Sequence, residues 1–81
     1  MSIISEQISG HTINVTIKSS NLKFASYDTS TKMLTTTFNN ESIYVYYEVP
    51  WELFTKFRMS ESQGKFFNEH ISKNYKYKKL K

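Results

Sequence analysis

The chain has no cysteine, one proline and two glycines in 81 residues. Without cysteine, neither a disulfide nor a thiolate-held zinc can staple so short a chain, and a small secreted disulfide scaffold is excluded. Long apolar runs are also lacking. The longest, Ile43 to Tyr47, is far too short to span a bilayer. The opening MSIISEQISG has no basic segment and places Glu6 where an apolar run would have to continue, so it does not read as a signal peptide. The expectation is a cytoplasmic protein with no membrane partner. Catalytic material is equally scarce. His11 and His70 are the only histidines and fall in different elements. No nucleophile stands at a recognisable spacing from a base, and no ligand cluster fits a metal. Glu69 and His70 are adjacent and do not share a helix face. We expect a protein that is not an enzyme and takes no cofactor.

What the chain does have is aromatic bulk: six Phe, six Tyr and one Trp. A domain this small buries only about 60% of the surface its unfolded chain exposes, so large apolar side chains or self-association must compensate. Charge is distributed unevenly. Residues 1–72 carry six basic and seven acidic side chains, a net −1, whereas residues 73–81 carry five lysines and no acid. A near-neutral body with a basic end points to a polyanionic partner.

The first half of the chain reads as strands. Ile13, Val15 and Ile17 alternate with Asn14, Thr16 and Lys18, a period of two in β-branched residues. Residues 2–9 are weakly patterned, with Ile3, Ile4 and Ile8 in a short edge strand or arm, so residues 1–18 read as an N-terminal strand or hairpin. Ser19-Ser20-Asn21 is a connection. Leu22 to Tyr27 follows, with Leu22 and Phe24 expected on one face. In Lys32 to Phe38, Leu34, Thr36 and Phe38 face one way. Asn39-Asn40-Glu41 turns the chain, with either asparagine able to take a positive φ. Ser42 to Glu48 is bulky on both faces, as a central or doubly covered strand would be.

Pro50 ends the sheet and suits the first turn of a helix, in which Leu53, Phe54 and Phe57 recur at helical spacing. Ser60-Glu61-Ser62-Gln63 matches a capping box, Ser60 pairing with Gln63. A second helix would stack Phe67, Ile71 and Tyr75. Gly64 inside its first turn costs about 1 kcal/mol against alanine, which implies close approach by another element. The tail beyond Tyr75 has no helical stripe and is expected to fray. Together these give an α+β fold: a small antiparallel β-meander of three to five strands, then two C-terminal helices packed on one face.

Ser19-Ser20-Asn21-Leu22, Tyr27-Asp28, Leu34, Phe38, Tyr44-x-Tyr46, Val49-Pro50 and Ser62-x-Gly64-x-x-Phe67-Asn68-x-x-Ile71 together resemble the KTSC domain. This short module is named for its occurrence at the C-terminus of some lysyl-tRNA synthetases, and it is also found as small bacterial and phage proteins. The resemblance covers residues 19–75 and leaves 76–81 as a basic tail. It implies a β-meander with two helices and, through the synthetase context, a role in RNA binding. Two positions depart from the family pattern. Glu41 falls where a turn glycine is usual, and Ser60 where alanine is frequent.

Three readings of function follow. The first is a non-catalytic nucleic-acid-binding module, RNA favoured. Lys65, Lys73, Lys76, Lys78, Lys79 and Lys81 would meet phosphates, and Tyr75 and Tyr77 would stack on bases. The second is a protein-interaction module, such as a phage or mobile-element factor acting on a host protein, with Trp51 in an exposed apolar patch. The third is capture of a small nucleotide or other anion at the start of the second helix by Ser60, Ser62 and Gly64, although the full phosphate-loop pattern is absent. Tyr44 and Tyr46 offer a stacking face, and Ser19, Ser20 and Asn68 a shared polar pocket, or else structural hydrogen bonds. The expected state is a monomer or a homodimer.

Overall fold

Alternation in the first half of the chain does produce strands, and each strand pairs with the next. The computed structural model describes the backbone from Ser2 to Lys81 and side chains from Ser5 onward. Strands β1 (Ser2–Ser9), β2 (Thr12–Lys18), β3 (Leu22–Asp28), β4 (Met33–Phe38) and β5 (Ile43–Tyr46) precede helix α1 (Trp51–Met59). Helix α2 (Gln63–Phe66) continues into a π-helical turn (Phe67–Ile71), and a last strand, β6, spans Tyr77–Lys79. All six strands form one antiparallel sheet in the order β1-β2-β3-β4-β5-β6. The α+β architecture is as the sequence indicates, with one strand more than the upper expectation. The side chains of Ile3 and Ile4 lie outside the described residues.

The inward face of the sheet is written in the alternation. Ile13, Val15 and Ile17 of β2, Ala25 and Tyr27 of β3, and Leu34 of β4 are all buried in one cluster with Phe54 and Phe57 of α1 and Phe67 and Ile71 after α2. Tyr27 anchors this core. Its ring stacks 4.5 Å from Phe54, and its hydroxyl donates a 2.6 Å hydrogen bond to the Val49 carbonyl. Burial raises the Tyr27 pKa, with the Asp28 carboxylate adding to the effect.

β3 corrects one expectation. Leu22 is fully buried, but Phe24 is exposed, because the β3–β4 register shifts between them. One extra residue in a strand reverses the side that every later side chain faces.

The turns account for other departures. Gly10, at φ +60°, holds the first position of the two-residue β1–β2 loop, where a type II′ hairpin needs glycine. At the β4–β5 turn it is Glu41 itself that takes φ +72°, rather than Asn39 or Asn40. Its carboxylate meets Lys23 Nζ at 2.8 Å, which holds the Glu41 pKa below its usual value. Asn39 has a different task. Its amide donates to the Ser19 carbonyl at 2.9 Å and its N–H to the Asn21 carbonyl at 2.8 Å, tying this turn to the β2–β3 connection.

The junction between the helices also differs from the expected capping box. Ser62 is the N-cap of α2 and accepts from the Lys65 N–H. Ser60 is the C-cap of α1, its hydroxyl donating to the Phe57 carbonyl at 2.8 Å. The buried Gln63 amide donates to the Ser60 carbonyl at 2.9 Å and to Arg58 at 3.3 Å. The open carbonyls at the end of α1 thus compete successfully for the side chain that a capping box would return to its own cap. Tyr75 lies beyond the helical segment, half-buried against the core instead of continuing the Phe67–Ile71 stack.

Candidate functional site

The tail decides where the site lies. The sequence led us to expect fraying beyond Tyr75, but Tyr77–Lys79 pairs with β5 and becomes the sheet's edge. β5 would otherwise expose a row of unpaired backbone groups, and the tail satisfies them. The signal for this was a short alternation in the tail itself. In register, Tyr77 stands opposite Tyr46, Lys78 opposite Val45 and Lys79 opposite Tyr44. Opposed residues in a ladder share a face. Tyr77 and Lys79 therefore join Tyr46 and Tyr44 on the face that carries the helices, while Lys78 projects from the other face.

The result is an aromatic cleft between β4–β6 and the segment after α2. The Tyr77 ring centroid lies 5.7 Å from Tyr44 and 5.6 Å from Tyr46. Phe38 meets Tyr44 and Phe67 edge-on, each at 5.6 Å. Phe67 meets Tyr46 edge-on at 5.2 Å. These five aromatic residues line a cavity of about 350 Å³, with Asn40, Ser42, Asn68 and Ser72 supplying its polar atoms. Lys79 Nζ sits 5.9 Å from the Tyr44 ring centroid, close enough for cation–π attraction. Tyr77 keeps 57% of its surface exposed, whereas Tyr46 keeps 4%. The cleft thus has a fixed floor and an accessible rim.

Burial, followed by the neighbouring Tyr44 and Tyr77, pushes the Tyr46 hydroxyl up to about 12 from 10.0. The folded state therefore retains a proton that the unfolded chain releases above pH 10. The associated stability is intact below pH 10 and is lost as pH rises toward 12, on the order of 2 kcal/mol. Urea denaturation at about pH 9 and pH 12 should show this loss, and Tyr46→Phe should reduce it. An equal alkaline loss in the variant would assign the effect elsewhere.

The remaining sequence-predicted residues are dispersed. Tyr75 and Lys76 line a separate cavity with Tyr47, Glu48 and Asn74. Lys73 is exposed just past the helical segment. Lys81 lies beyond β6, its carbonyl accepting from the Ile43 N–H. Ser62, Gly64 and Lys65 border a depression with Ser20, Asn21, Asn68 and Glu69, and Ser60 borders an adjoining one with Glu61. The acids Glu61 and Glu69 offset the Lys65 charge there, which weakens an anion site.

Gly64 has a packing reason. A Cβ at this position would stand 2.3 Å from Asn21 Oδ1 and 2.7 Å from Ser19 Oγ. Those two atoms are themselves hydrogen-bonded at 2.8 Å. Gly64→Ala should therefore lower stability by about 1–2 kcal/mol, overpacking exceeding the gain in helix propensity. Chemical denaturation of Gly64→Ala beside Asn21→Ala/Gly64→Ala checks this. The second replacement should recover part of the loss, and a Gly64→Ala protein more stable than the parent would contradict the packing role.

Sequence reasoning found Tyr77 and Lys79 and noted Tyr44, Tyr46 and Asn68. It missed Ser72 and the contribution of Phe38 and Phe67 to the cleft, because their apolar periodicity reads only as core. Among the described residues, no group of three or more His, Cys, Asp or Glu side chains is placed to hold a metal, and no helix is long and apolar enough to cross a membrane.

Comparison with known proteins agrees with this architecture. The crystal structure of a KTSC domain protein from Yersinia pestis superposes with a TM-score of 0.81 at 26% identity, covering 86% of this chain and 99% of that one. A protein of Tsukamurella paurometabola is 33% identical over 60 residues, 74% of this chain and 90% of its own. The KTSC domain model matches residues 18–75, from the end of β2 through Tyr75, and the chain belongs to the KTSC domain family.

Proposed function

We propose that this protein is a non-catalytic module that binds single-stranded nucleic acid, RNA in preference, in the cytoplasm. The observation that carries the reading is the pairing of β6 with β5, which sets the exposed Tyr77 beside Tyr44 with Lys79 over the Tyr44 ring. An aromatic surface for an unpaired base next to a cation for its phosphate is the usual construction of single-strand binding sites. The cleft's polar groups on Asn68 and Ser72 can meet base edges or a ribose hydroxyl. Lys76, Lys78 and Lys81 extend the positive field along the same strand end.

Fluorescence anisotropy with a labelled single-stranded RNA and an RNA hairpin, titrated in salt, tests the proposal. Binding should weaken steeply with salt and favour the single strand. Tyr77→Ala should weaken binding by about tenfold, as loss of one stacked base would. Lys79→Ala should lower the salt slope by roughly one. Salt-independent binding, or full affinity in Tyr77→Ala, would refute this reading and favour a host-protein partner, for which the exposed Trp51 and Met59 speak.

A further inference from the structure

The two edges of the sheet are built differently. β6 is three residues long and carries Lys78 and Lys79, and a short, lysine-bearing edge resists pairing with another strand. β1 is eight residues long and has no lysine, arginine or proline. Its one charge, Glu6, is ion-paired with Arg58 of α1. Among the described residues, no strand pairs with the outer edge of β1.

The register specifies which backbone groups that edge presents. The two-residue loop closes on Ser9 opposite Thr12, and the irregularity in β1 falls between Ile3 and Ser5, so Ser5 to Ser9 is regular. Hydrogen-bonded and non-hydrogen-bonded positions alternate along an antiparallel pair. Counting back from the loop, Ser9, Gln7 and Ser5 turn their backbone groups toward β2, and Glu6 and Ile8 turn theirs outward. The Ile8 side chain is 73% exposed.

We propose that the β1 edge pairs antiparallel with β1 of a second copy of this chain, joining two six-stranded sheets into one across a two-fold axis. The occupant is a second copy because the edge complements itself. A pair centred on Gln7 sets the outward groups of Glu6 opposite those of Ile8 in the other copy, and the reverse, as an isologous contact requires. A pair centred on Glu6 would oppose two carboxylates and is disfavoured. Because each Glu6 is already neutralised by its own Arg58, the centred-on-Gln7 pair brings no unpaired charge to the join. The aromatic clefts, at β5–β6, then lie toward the two far ends of the joined sheet, roughly 45–50 Å apart at the usual strand spacing. The pairing rests on β1 alone and does not depend on what the cleft binds.

Sedimentation equilibrium of the full chain, without nucleic acid, tests it up to about 1 mM protein. The expected result is a concentration-dependent dimer that Ile8→Glu, which sets a carboxylate opposite Glu6 of the other copy, weakens at least tenfold and Ile8→Pro abolishes, with unchanged circular dichroism for Ile8→Glu. Since Ile8 is exposed, the glutamate variant decides the matter if the proline variant fails to fold. A chain that stays monomeric throughout overturns the proposal. So does a dimer indifferent to Ile8→Glu, which would use another surface. A monomer that binds a synthetic strand-forming peptide along β1 also overturns it, in favour of a foreign strand.

Discussion

Phe67→Ala should destabilise the protein by about 3–5 kcal/mol, the usual cost of removing a fully buried phenyl ring. Phe67 keeps 1% of its surface exposed and stands at the start of the π-helical turn. It contacts Phe38 and Tyr46 edge-on, joining β4 and β5 to the helical layer. Each such aromatic pair contributes about 0.5–1.5 kcal/mol beyond area burial. A domain of this size has a total stability of roughly 5–10 kcal/mol, so the variant would be close to unfolding at room temperature. Phe67→Leu keeps most of the volume and should cost less than about 2 kcal/mol. Urea denaturation of the two variants beside the parent measures both values. A loss below about 1 kcal/mol for Phe67→Ala would show that the layer is held elsewhere, with Phe54 and Phe57 the next candidates.

The same residue illustrates what a sequence reader can and cannot see. Phe67 and Ile71 are legible as core from their spacing, and Ile13, Val15, Ile17 and Leu34 from alternation, because one buried face imposes a period. That Phe67 also lines the cleft is not legible, since a ring that faces both ways has the same period as one that faces inward. The Phe24 bulge is hidden for a related reason. Inserting one residue costs nothing in local propensity, so only the partner strand reveals it. Ser60 and Ser62 are both competent caps, and the choice between them depends on where Gln63 finds carbonyls. Gly64 announced a close approach, but the approaching atoms belong to Ser19 and Asn21, on the far side of three strands in sequence. Glu41 at positive φ departs from residue preference, and the nearby Lys23 contact is the compensation visible in the fold. Strand β6 was the most consequential omission. Its three residues are exposed, so the brief Tyr–Lys alternation of the tail has no buried face behind it, and its position is set by the free edge of β5.

Ending the chain after Tyr75 should therefore do more than remove charge. It removes Tyr77 from the cleft and Lys76, Lys78, Lys79 and Lys81 from the strand end. RNA affinity should fall about a hundredfold or more at low salt, with a markedly shallower salt slope. A second signal distinguishes a built strand from a solvated end. Burial and Tyr77 both help raise the Tyr46 pKa to about 12, and truncation uncovers that side of the ring. Ultraviolet titration of the shortened protein should show Tyr46 ionising closer to 10, whereas removal of a detached tail would leave it in place. Tyr77→Ala, which keeps every lysine, should reproduce part of the affinity loss with the salt slope unchanged. If truncation weakens binding while the Tyr46 titration stays fixed, the lysines act as a mobile polyelectrolyte and the cleft is not the site. If both change together, the strand that closes the sheet also builds the binding surface.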